Sequence, residues 1–81
     1  MKFTIIFNHN RKTASITRDF DNHAVDFVKS AVPHLATLVG SNIVKCSIVI
    51  AFDNGIIKRF NVAPNRIVDD FRFIYEMIFT E

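Results

Sequence analysis

The order strand, turn, strand, helix is written twice in this chain, and that repetition constrains the fold more than any other feature. Residues 3–20 read as a hairpin and 22–39 as an amphipathic helix, while 46–62 read as a second hairpin and 64–79 as a second helix. Aligning the turns sets Phe7 over Phe52, and aligning the helices sets Val25 over Val68 and Phe27 over Phe71. The predicted fold class is α+β, ββαββα. Strands are expected near 2–8, 13–19, 43–52 and 56–62, in one four-stranded antiparallel sheet with both helices packed on one face. A chain of 81 residues hides only ~60% of its extended surface and cannot support a second core. The expectation is therefore one domain, 1–81, with an internal pseudo-repeat of 1–40 and 43–81.

Side-chain parity sets what faces what. Phe3, Ile5 and Phe7 alternate with Lys2, Thr4 and Asn8, and Ala14, Ile16 and Phe20 alternate with Thr13, Ser15, Thr17 and Asp19. A loop over His9 to Lys12 pairs Phe7 with Ala14 and Ile5 with Ile16, which keeps the apolar sets on one face. Arg18 then lies opposite Phe3, near the margin. In the second hairpin Phe52-Asp53-Asn54-Gly55-Ile56 suits a type I turn closed by a left-handed glycine and a bulge. That register puts Cys46, Ile48, Ile50 and Phe52 with Ile56, Lys58, Phe60 and Val62. It asks Lys58 to reach its ammonium past the sheet edge. The rival two-residue turn at Asn54-Gly55 buries Arg59 instead.

Asp21 or Asn22 is expected to cap the first helix, whose apolar stripe is Ala24, Val25, Val28, Ala31, Val32, Leu35, Leu38 and Val39, ending at Gly40. Pro33 interrupts it, and an interior proline costs ~3 kcal/mol, so a kink or restart is expected there. Pro64 opens the second helix, after Asn61 or Ala63. Its stripe is Ile67, Val68, Phe71, Ile74, Tyr75 and Ile78. A strand order of 2-1-3-4 makes every neighbouring pair antiparallel and permits a right-handed crossover.

Sites of chemistry are scarce. His9, His23 and His34 share no metal-ligating or acid-base spacing. Adjacent Asp69 and Asp70 diverge by ~100° around a helix and serve its dipole instead. Two glycines, Gly40 and Gly55, cannot build a phosphate loop. Cys46 is alone and sits in an apolar strand, as a small buried hydrophobe does. No cofactor, metal ligand or catalytic residue is expected, and the class expected is non-enzymatic. The one enzyme reading retained is a small ribonuclease-type toxin using one histidine and a few basic groups.

Two surface readings remain. Arg11, Lys12, Arg18, Lys45, Lys58 and Arg59 form a partial basic surface on the hairpins, the alternative being nucleic-acid binding along a phosphate backbone. The net charge of +2 is mild, and no aromatic stacking platform accompanies it. The leading expectation is a protein-binding surface. Phe27 lies off the first stripe on the side of His34, Phe73 and Met77 lie a turn apart on the outer side of the second helix with Arg66 and Asp70 in the same row, and Phe79 sits near the C-terminus. All are expected in water, where apolar side chains mark a surface to be covered. The partner is a protein, either another chain or a second copy, with a homodimer as the form of self-association. No membrane or small-molecule partner is implied.

The frequent Ile, Asn and Phe, whose codons are AT-rich, together with the brevity and lack of motifs, resemble small accessory proteins of bacteriophages and other mobile elements. The resemblance is one of style and carries no residue roles. It implies a stoichiometric inhibitor that binds a host or defence protein in the host cytoplasm. A cytoplasmic setting also follows from a start that lacks a signal-peptide pattern and from apolar runs far shorter than a membrane span.

Overall fold

The computed structural model describes residues 1–9, 12–39 and 45–79. Arg11, Gly40, the expected strand residues 43 and 44, and the stripe side chains of Leu38 and Val39 lie outside the described residues. The elements run β1 (Lys2–His9), β2 (Lys12–Asp19), α1 (Ala24–Val39), β3 (Lys45–Ala51), β4 (Ile57–Val62), a 3-10 turn (Pro64–Arg66) and α2 (Ile67–Phe79). One antiparallel sheet has the order β2-β1-β3-β4. The fold is α+β with the order ββαββα, as the sequence predicts.

Register follows burial. Phe7 pairs with Ala14, Ile5 with Ile16 and Phe3 with Arg18, while Cys46 pairs with Val62, Ile48 with Phe60 and Ile50 with Lys58. The first hairpin stays paired as far as His9 and Lys12, so its loop is shorter than the four residues expected. In the second, Phe52 N–H donates to the Ile56 carbonyl at 2.8 Å, Gly55 N–H donates to the Phe52 carbonyl at 3.0 Å, and Gly55 has φ +88°. This is the bulged three-residue loop. Arg59 is consequently on the face away from the helices, where its Nη2 donates to Ser47 Oγ at 3.2 Å.

The core lies between the sheet and the helices, built from Phe3, Ile5, Phe7, Ile48, Ile50, Val28, Ile67 and Phe71. Asp21 caps α1 by accepting from His23 N–H at 2.9 Å. The expected restart at Pro33 does not occur: α1 is one helical segment through it. The proline is exposed, while buried Val28 and Leu35 on the opposite side hold the helix to the core. Tertiary packing outweighs the local penalty.

Nine phenylalanines are accommodated in two ways. Phe3 meets Phe71 at 4.8 Å and Phe20 and Phe27 edge-on at 6.1 and 6.3 Å, an aromatic cluster at one end of the core. Others remain at the surface.

Candidate functional site

The geometry of α2 defines the surface of interest. Ile67, Phe71 and Ile74 are buried, with Val68, Tyr75 and Ile78 half-buried beside them. At ~100° per residue, Tyr75 and Phe79 fall on one flank of that stripe and Arg66, Asp70, Phe73 and Met77 on the other. The first flank turns toward Phe20, whose ring lies 5.5 Å from Tyr75 and 5.2 Å from Phe79 in a near-parallel stack. Phe20 follows edge strand β2 and precedes α1, so this flank faces the β2 side of the molecule. The opposite flank runs round to the outer side of α2, where Phe73 and Met77 are exposed.

β4 lacks the cover that β2 receives. The backbone of α1 runs close over β2 and β1, whereas that of α2 approaches α1 more closely than any strand. On the helix side of β4, Phe60 and Val62 are therefore only half-buried, as is Phe52 at the turn. Lys58 is exposed and folds its ammonium to 5.8 Å from the Phe52 ring. Ile56 at the turn is 51% exposed and Ile57 68%, while on the outer side of α2 Phe73 is 68% and Met77 41% exposed. Of the five large apolar side chains exposed among the described residues, Ile56 and Ile57 lie where the turn enters β4, and Phe73, Met77 and Phe79 lie on α2. Arg66 Nε and Asp70 Oδ1 stand 3.8 Å apart at the start of the strip, a solvent-exposed pair worth only ~0.3–0.5 kcal/mol.

Placement of the remaining expected residues is mixed. Phe27 departs from the expectation of a wet side chain: it is half-buried against the core, with Phe3 on one side and the Arg18 guanidinium 4.5 Å above its ring. Phe79 is half in water, but its ring is held by Phe20 and Tyr75. The basic residues do not converge. Lys12 and Arg18 lie on the helix side of β2, Lys58 on the helix side of β4 at the other end of the sheet, and Lys45 and Arg59 on the open face. On that face Ser47, 2% exposed, accepts from Arg59 and donates to Asn61 Oδ1 at 3.1 Å, which ties the guanidinium to the sheet.

Ile56 and Ile57 are exposed where the second turn enters β4, Ile56 on the helix side and Ile57, of the same parity as Arg59, on the open face. The bulged turn sets this parity, and its geometry is legible in Asp53-Asn54-Gly55. A second feature is an open cleft of about 400 Å³ between β2 and α1, lined by Ile16, Phe27, Ala31, Leu35, Ser30 and His34. Phe27 and His34 sharing a side of α1 is its sequence signal.

Groups of chemical interest are dispersed. Among the described residues no three His, Cys, Asp or Glu side chains gather at a metal site. His23 and His34 are exposed and His9 half-buried. Burial pushes the Cys46 thiol up from 9.0 to about 12, so it stays protonated and unreactive at neutral pH. No described helix is long and apolar enough to cross a membrane. Comparison with protein families, curated proteins and solved structures finds no match to this chain.

Proposed function

We propose that this chain is a non-enzymatic protein-binding module that associates through the strip formed by β4 and the outer flank of α2. The observation that carries the reading is the exposure of Phe73 and Met77, one turn apart on the outer side of α2, together with Ile56 and Ile57 exposed where the turn enters the uncovered edge strand β4. Removing a Phe or Met side chain from water is worth ~1.5–3 kcal/mol, and aromatic residues and Met with charged neighbours at the rim are the composition of protein interfaces. Arg66, Asp70 and Lys58 supply that rim. A module of this kind acts by occupancy. Blocking a host or defence protein, in the manner of a mobile-element accessory protein, needs no more than that.

A tagged chain incubated with bacterial lysate, with and without nuclease, tests the reading. The expected result is protein capture that survives nuclease and is lost when Phe73→Lys and Met77→Glu are combined. Capture that disappears with nuclease, or that the double variant retains, overturns it.

A further inference from the structure

We infer that the strip is covered by a second copy of the chain, joined edge to edge along β4 about a two-fold axis, so that two four-stranded sheets become one of eight. The inference rests on the binding reading above and names the occupant of the same surface.

The phase of the hydrogen-bond ladder makes the edge available. Phe52 and Ile56 form a hydrogen-bonded pair, and such pairs recur every second residue in an antiparallel ladder. Lys58, Phe60 and Val62 therefore direct their backbone groups to β3, while Ile57, Arg59 and Asn61 direct theirs outward. Among the described residues β4 ends the strand order, so these outward groups can accept another strand.

Charge then selects a register. In an antiparallel pair related by a two-fold axis normal to the sheet, a residue faces one of the same parity. Centring the axis on Lys58 or Arg59 sets that cation against itself, which is destabilising. Centring it on Phe60 avoids both. Phe60 then faces Phe60 of the second copy in a close non-hydrogen-bonded pair, Arg59 faces Asn61 in a hydrogen-bonded one, and Lys58 faces Val62. Val62 marks the end of β4 from which the chain enters α2, whose first turn carries Asp69 and Asp70. Each Lys58 is thus brought toward the acidic end of the other copy's helix. The half-buried Phe60 and Val62 gain cover in the same step.

The other edge offers less. β2 is roofed by α1, its open face carries Thr13, Ser15 and Thr17, and Arg18 is engaged with Phe27. At β4, by contrast, Ile56 and Ile57 are exposed and Phe60 and Val62 only half-buried.

The test combines light scattering with cross-linking. Unmodified protein is expected to dimerise with rising concentration. Arg59→Pro removes an outward N–H and leaves the β3 ladder intact, so it should weaken association by at least about tenfold, while Arg59→Ala, which keeps the N–H, should not. Independently, mixing Arg59→Cys chains with Asn61→Cys chains under mild oxidation should give the mixed disulfide in preference to either self-linked product, with buried Cys46 as a silent background. A monomer at all concentrations overturns the dimer and assigns Lys58 and Arg59 to edge protection; the lysate experiment then judges the binding reading alone. A dimer that survives Arg59→Pro but is lost on the Phe73 and Met77 changes overturns the β4 seam while upholding the strip. Preferential self-linking of Arg59→Cys chains overturns the register.

Discussion

The guanidinium of Arg18 lies 4.5 Å from the centre of the Phe27 ring, joining the edge of β2 to the first turns of α1. Phe27 also touches Phe3 edge-on, so the ring is held from both sides. Cation–π pairs at exposed sites contribute ~0.5–1 kcal/mol, whereas a half-buried Phe contributes more through area. Phe27→Ala should therefore cost ~2 kcal/mol and Arg18→Ala less than 1. A double-mutant cycle by urea denaturation should give coupling of ~0.5–1 kcal/mol. Strict additivity would show that the pair is a mere proximity.

Why Phe27 escaped sequence reasoning is physical. A helical wheel ranks residues by angle from the stripe, but burial at the stripe's margin depends on where the helix sits across the sheet. α1 lies over the outer pair of strands, so a residue at the margin of its stripe meets the long side chain of Arg18. The same kind of offset, in the opposite sense, leaves α2 away from β4. Hairpin registers, by contrast, were legible because one buried face forbids a one-residue slip. The scatter of Lys58 and Arg59 to opposite faces was legible from parity too, although their closeness along the chain suggests a single patch.

Pro33 is exposed within α1, and nothing in the core depends on its ring. Helix propensity favours Ala over Pro by ~3 kcal/mol, while the unfolded chain loses the entropic advantage of Pro, ~1 kcal/mol in the other direction. Pro33→Ala should stabilise the protein by ~2 kcal/mol. Thermal unfolding measures it, and a lower midpoint would contradict the account of a helix held through Pro33 by tertiary contacts.

Gly55 holds φ +88° with open space around its Cβ position. Gly55→Ala should therefore lose ~1–2 kcal/mol through backbone strain rather than through a clash. Gly55→Asn should lose less, because Asn tolerates the left-handed region. Equal losses in denaturant midpoint would count against the bulged turn.

Cys46 links stability to alkaline pH. Its thiol titrates near 9.0 when free and at about 12 in the fold. Folding thus favours the neutral thiol, and the unfolded chain gives up its proton first as pH rises. The contribution of Cys46 is intact below pH 9 and is lost between pH 9 and 12, at up to ~1.4 kcal/mol per unit. Cys46→Ala should flatten that part of the stability profile. An unchanged slope would mean that other groups carry it.

The central claim is that Phe73 and Met77 serve association and not the core. The decisive measurement is light scattering of the Phe73→Lys, Met77→Glu variant beside its thermal unfolding, with Phe71→Ala as the reference for core loss. Because Phe71 is fully buried, its truncation should cost ~3–5 kcal/mol. The double variant is expected to unfold at nearly the temperature of the unmodified protein yet no longer associate. A double variant that unfolds like Phe71→Ala, or one that associates as before, would contradict it.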